Sequence, residues 1–181
     1  MPRFIAFLRA INVGGHVVTM AELRALFEAL GFKSVETFIA SGNVIFESRS
    51  TDTRAMERRI EDRLLKSLGY GVETFIRTDA EVAAIARYQP FKESQVQSAG
   101  AFCVGFLAEP LTAEGRKSLM ALKTDIDDFH VNSREVYWLC RKKQNESTFS
   151  NVRFEKFTKA RVTFRGVKTV AKLATKYARL D

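Results

Sequence analysis

The residue types best suited to chemistry fall in two short segments near the front of the chain, the loop Asn12-Val13-Gly14-Gly15-His16 and the turn Ser41-Gly42-Asn43. Paired glycines let a backbone aim its amides at one point, and amides exposed ahead of a helix hold a phosphate or a carboxylate. Arg9, Asn12, His16, Ser41 and Asn43 would give such a site polar walls, with Gly14, Gly15 and Gly42 shaping the backbone. The chemistry expected there is anion binding. The alternative is a small-molecule enzyme that uses His16 with Ser41 or Asn43. The plain structural alternative is that the glycines make a tight turn and a hairpin while Asn12 and Asn43 cap neighbouring backbone. The loop lacks the Gly-Lys-Ser/Thr end of a phosphate loop, and its glycines do not follow the dinucleotide pattern. No acid is placed to orient His16, and Ser41 lacks a nucleophile-elbow context, so no catalytic residue and no cofactor is assigned.

A second candidate lies at the other end. Arg165, Lys168, Lys172, Lys176 and Arg179 are spaced 3, 4, 4 and 3 residues apart, which on a helix gathers all five in one narrow stripe. Val167, Val170, Ala171, Ala174 and Tyr177 take the opposite side. A basic stripe over an apolar anchor suits a phosphate backbone, which makes nucleic acid the expected polymer, against the alternative of a solvated lysine face. Charge is concentrated there: residues 141–181 hold 12 Lys plus Arg against three acids, whereas residues 1–140 hold 17 against 18. The apolar side is mostly small residues, which suits a membrane surface poorly. Asn43-Val44-Ile45-Phe46 lacks the exposed-aromatic signature of RNA-recognition sheets, so the aromatic residues are assigned to the core.

The elements that must position these residues belong to a chain of 181 residues, 46% apolar and 28% charged, which has the composition of a globular protein of one domain or two small ones. Fifteen Phe imply an aromatic core. No leader and no apolar run of membrane-spanning length is evident, so a cytoplasmic location is expected. Cys103 and Cys140 stand in apolar contexts with no partner at ligand spacing, so they are expected as buried thiols. With only two His, no protein-bound metal is expected, although carboxylate-held magnesium stays open, as does the oligomeric state.

Residues 3–9 predict a buried strand, and Thr19-Met20-Ala21-Glu22 a capping box that starts a helix running to about Leu30. Strands are predicted over 34–40 and 43–48, joined by a hairpin at Ser41-Gly42. A helix from about Asp52 to Leu68 buries Met56, Ile60, Leu64 and Leu68, and its other face, including Glu57 and Glu61, is expected to be solvated. A strand over 72–77 completes a split β-α-β unit of the ferredoxin-like kind. The pentapeptide Val-Glu-Thr-Phe-Ile occurs at 35–39 and again at 72–76, in the second and fourth strands, through either duplication or chance. After a second capping box at Thr78-Asp79-Ala80-Glu81 the pattern restarts. The expected organisation is α+β: a first ferredoxin-like half over 1–90, a linker over 91–100, a second half over 101–164 and a basic amphipathic helix over 165–181.

Leu8-Arg9-Ala10-Ile11-Asn12-Val13-Gly14-Gly15-His16, then Met20-Ala21-Glu22-Leu23 and Ser41-Gly42-Asn43-Val44-Ile45-Phe46, resemble the opening of the bacterial family known as domain of unknown function 1697. The resemblance extends over nearly the whole chain and implies an α+β fold of ferredoxin-like pieces, with no established activity. Ala10 stands where the family usually has Gly. Near the C-terminus the family's Arg-Asn-Trp-Asn-Thr-Val is replaced by Arg165-Gly166-Val167-Lys168-Thr169-Val170, which puts any activity of that centre in question here.

Overall fold

The computed structural model describes residues 1–12, 15–39 and 42–179. The chain divides into two compact units, Met1–Ala84 with Leu173–Asp181, and Ile85–Lys172.

The first unit runs β1 (Arg3–Leu8), α1 (Met20–Glu28), β2 (Lys33–Thr37), β3 (Asn43–Glu47), α2 (Thr53–Leu68) and β4 (Thr74–Thr78). Its sheet has the order β2-β3-β1-β4 with every neighbouring pair antiparallel, the ferredoxin-like arrangement. Alternation along β1 puts Phe4, Ala6 and Leu8 on the face that meets Leu23 and Phe27 of α1 and Met56, Ile60 and Leu64 of α2. Phe27, Phe32 and Phe46 meet there at ring-centroid distances of 4.4 to 6.1 Å. Helix α1 starts on the expected capping box, with Thr19 Oγ accepting from the Glu22 amide at 3.1 Å and the Thr19 amide donating to Glu22 Oε2 at 2.8 Å. Helix α2 starts at Asp52, whose Oδ1 accepts from the Ala55 amide, and ends at Gly69 in the left-handed conformation.

The polar face of α2 differs from expectation. Glu57 is 1% exposed and Glu61 half-buried, because both carboxylates serve the open edge of β4. Only one side of β4 pairs with β1, so the amides of Thr74, Ile76 and Thr78 point away from the sheet. They donate to Glu61 at 3.0 Å, Glu57 at 2.9 Å and Glu81 at 2.8 Å. An edge strand whose outward amides all end on carboxylates is closed to pairing with another chain.

The two pentapeptide copies occupy different registers. Val35-Glu36-Thr37 lies within β2, with Phe38 and Ile39 beyond its end, whereas Thr74-Phe75-Ile76 lies within β4, with Val72 and Glu73 ahead of it. Ile39 is 45% exposed and Ile76 fully buried.

Between the two sheets in sequence lie α3 (Asp79–Arg87) and α4 (Glu93–Ser98). The segment 91–100, expected as a plain linker, therefore holds a helix of six residues. The second unit continues with β5 (Ala101–Phe106), α5 (Ala113–Met120), β6 (Asp127–Asn132), β7 (Glu135–Cys140), α6 (Asn151–Thr158) and β8 (Thr163–Gly166), after which comes α7 (Val167–Tyr177), whose residues from Leu173 onward are assigned to the first unit. Its sheet order, β6-β7-β5-β8, repeats the topology of the first, again wholly antiparallel. Trp138, Phe129, Phe149 and Phe154 form its core with Leu119 and Val136. At the margin of this core the buried Asp127 accepts from Trp138 Nε1 at 2.8 Å, from Ser147 Oγ at 2.7 Å and from Thr124 Oγ at 3.0 Å. Both cysteines are buried free thiols, and burial raises that of Cys103 to about 11.

Candidate functional site

The loop after β1 and the turn between β2 and β3 meet, as strand order requires. Strands β1 and β2 run parallel with β3 between them, so the end of the first faces the end of the second. The Leu8 amide donates to the Gly42 carbonyl at 2.8 Å. Gly42 has φ +79°, and a Cβ there would lie 3.0 Å from Leu8 Cβ and 3.1 Å from Ile11 Cγ2. Glycine is thus demanded twice, by conformation and by space.

The polar side chains around this junction are engaged by other groups of the protein, Asn12 and Asn43 with its backbone and Arg9 and His16 with side chains. Asn43, 1% exposed, donates Nδ2 to the Phe38 carbonyl at 3.0 Å, and its carbonyl accepts the Phe38 amide at 3.0 Å, which closes the β2–β3 turn. Asn12 Oδ1 accepts from the Val18 amide at 2.9 Å and folds the loop back ahead of α1. Arg9 pairs with Glu73 at 3.3 Å, and the Arg9 amide donates to the Glu73 carbonyl. His16 stacks on Tyr70 with ring centroids 3.9 Å apart, while Tyr70 donates its hydroxyl to the Ile11 carbonyl at 2.8 Å. Gly15 has φ +82° and open space around it. Gly14 and Ser41 lie outside the described residues. The pocket lined by Asn12, Phe38, Gly42 and Asn43 encloses about 10 Å³, the volume of about one water-sized sphere.

Ala10, next to this loop, has φ +55°. A Cβ in the left-handed region costs roughly 1–2 kcal/mol, a cost that a glycine at this position would not carry.

The C-terminal stripe is rearranged relative to expectation at both ends. Arg165 lies in β8 rather than on the helix, where it donates to Thr163 Oγ at 2.9 Å and to the Phe164 carbonyl at 3.0 Å. Burial lowers its guanidinium to about 10, still charged at neutral pH. Arg179 lies past the end of α7 and pairs with Glu47 at 2.8 Å. Lys168, Lys172 and Lys176 remain, all exposed on one face of α7, and Val170, Leu173 and Tyr177 are buried on the other. Leu173, absent from the expected apolar side, is fully buried because it continues the row from Val170 to Tyr177. Among the described residues Lys168 and Lys172 pair with no carboxylate. Lys176 sits 5.6 Å over Phe38 and 5.0 Å over Tyr177, and its contact with the Tyr177 hydroxyl raises its pKa. The last turn of α7 is anchored where Tyr177 donates to Glu36 at 2.9 Å and its carbonyl accepts from Arg3 at 2.9 Å.

Among the described residues no three His, Cys, Asp or Glu side chains gather to hold a metal ion, and no helix is long and apolar enough to cross a membrane.

No curated protein matches the chain. Among solved structures it is similar to "conserved bacterial protein SP0830 from Streptococcus pneumoniae", with 22% identity over 96% of this chain and 97% of that one, at a TM-score of 0.73. At that identity the similarity bears on the fold alone. A family model described as "Protein of unknown function (DUF1697)" matches residues 1–137, with the glycine loop, the Gly42 turn and both partner strands inside the match, and the chain belongs to that family.

Proposed function

We propose that the protein binds an anionic polymer, nucleic acid, through the lysine face of α7. The observation that carries this is the exposure of Lys168, Lys172 and Lys176 on one side of a helix whose other side is held by Val170, Leu173 and Tyr177. Successive lysines four residues apart lie one above another along a helix face, so a phosphate strand following the axis meets each in turn. The stripe is a property of one continuous helix. With three phosphate contacts rather than five, binding is weak and moderately salt-dependent: a slope near −0.9 per contact lowers affinity about 40-fold between 50 and 200 mM salt on duplex DNA.

Fluorescence anisotropy with a labelled 20-base-pair duplex tests this at both salt concentrations. The triple substitution Lys168→Gln, Lys172→Gln, Lys176→Gln should remove most of the binding and flatten the salt slope. Undiminished affinity in the triple variant, or no binding by the unaltered protein at 50 mM salt, would sink the proposal.

A further inference from the structure

We infer a second anion site, for a small molecule carrying a phosphate group, in a cleft at the opposite end of the first sheet from the glycine loop. The register that pairs Arg3 and Lys33 with Glu47 brings the starts of β1 and β2 beside the end of β3. The cleft there measures about 470 Å³ and is lined by Phe32, Lys33, Ser48, Arg49, Ser50 and Arg59, among others, and among the described residues no carboxylate lines it. Three cations without an acid stand out in residues 1–140, where acids outnumber bases by one.

Each polar group is arranged to donate. Arg59 gives one N–H to the Leu30 carbonyl at 2.7 Å and lies 5.6 Å over the Phe32 ring, which fixes the guanidinium plane and leaves its other N–H groups for a ligand. Among the described residues Lys33, Arg49 and Arg59 pair with no carboxylate. Ser48 Oγ accepts from the Ser50 amide at 3.1 Å and Ser50 Oγ from the Asp52 amide at 3.3 Å. Each hydroxyl is thus used as an acceptor, and among the described residues neither donates its proton to the protein. Three charges and two hydroxyl donors match the charge and acceptor count of a phosphate monoester better than those of a single carboxylate. The volume falls within the range of small-ligand pockets, and Leu30 with Phe32 supplies an apolar wall for the organic part.

The test is NMR titration of the full chain with inorganic phosphate, and with acetate at matched ionic strength as the carboxylate arm. Phosphate should shift the amides of Gly31, Phe32, Lys33, Arg49 and Ser50 saturably, and acetate should not. Arg49→Ala and Arg59→Ala should each weaken phosphate binding about tenfold, the effect of removing one charge-assisted contact. Arg58→Ala, which removes an exposed charge outside the cleft, should change it less than about twofold on the same scale. Among the described residues the Arg49 side chain makes no hydrogen bond or ion pair, so its variant remains informative if Arg59→Ala is unstable. The triple lysine variant of α7 should bind phosphate as the unaltered protein does, which separates this cleft from the polymer site. Absence of saturation, equal shifts with acetate, or an Arg58→Ala effect as large as that of Arg49→Ala overturns the inference.

Discussion

The amide of Ile76 donates to Oε1 of Glu57 at 2.9 Å, joining the open edge of β4 to a carboxylate on α2 that has almost no contact with water. Glu57 also pairs with Arg54, so its charge is matched where it is buried. Together with Glu61 and Glu81 it takes every outward amide of the strand, and the sheet ends there.

Removing that carboxylate leaves a buried amide without an acceptor. Glu57→Ala should lower stability by about 1–3 kcal/mol in urea denaturation, and Glu57→Gln, which keeps an acceptor oxygen, should lose less. Equal losses in the two variants would show that the charge rather than the amide contact matters.

Glu61 should make stability fall with rising pH. Burial raises its carboxyl above the ordinary value, with Glu57 and Glu73 adding to the effect and the Thr74 amide and Arg54 opposing it. A carboxyl raised in the folded state holds its proton longer there than in the unfolded chain. Its contribution is therefore fully present below the unfolded value, and is lost as pH climbs through the folded one. Glu61→Gln should flatten that part of the stability profile in urea melts taken at intervals from pH 4 upward, and an unchanged profile would count against the assignment.

Gly42→Ala should destabilise by roughly 1–3 kcal/mol, since it adds a left-handed alanine and also presses on Leu8 and Ile11. Gly69→Ala, at φ +81° with nothing within 4 Å, should show the conformational cost alone and so lose less. Thermal melts of both variants provide the comparison.

Ala10→Gly should do the reverse. Relief of the left-handed strain, about 1–2 kcal/mol, exceeds the roughly 0.4–1 kcal/mol lost to a freer unfolded chain, so a small rise in melting temperature is expected. A fall would mean that the Ala10 methyl group contributes something beyond its backbone cost.

Trp138, the chain's single tryptophan, reports on the second unit. Asp127→Ala strips acceptors from Trp138, Ser147 and Thr124 at once and should cost about 2–4 kcal/mol. The loss should appear as an earlier unfolding midpoint in tryptophan emission, and a midpoint unmoved by the substitution would contradict it.

The α+β architecture is legible in the chain because its signals are local. The Thr19 and Thr78 boxes and the Met56, Ile60, Leu64 spacing each constrain a few adjacent residues, and all appear where the pattern places them. The meeting of the glycine loop with the Gly42 turn is also legible, since strand order alone brings those two ends together. The capping of neighbouring backbone by Asn12, which takes the Val18 amide, and by Asn43, which gives to the Phe38 carbonyl, agrees with the structural alternative, whereas the pairing of Arg9 is not legible, because Glu73 lies 64 residues away.

Local pattern misleads where a partner comes from far along the sequence. Glu57 and Glu61 have the spacing of a solvated helix face, and only the docking of β4 supplies the amides that bury them. Two identical pentapeptides receive different registers because strand limits are set by neighbouring strands rather than by the five residues themselves. The basic stripe loses Arg165 to β8 and Arg179 to Glu47. Lys33, Arg49 and Arg59, unremarkable along the chain, line one cleft only when the sheet is assembled. The sequence by itself determined most of the strands and helices and their order, though not α4 or the start of α7, because helices and turns are stabilised by neighbours three or four residues away. Tertiary structure alone decided which charges are spent and which stay available, because that depends on partners tens of residues apart.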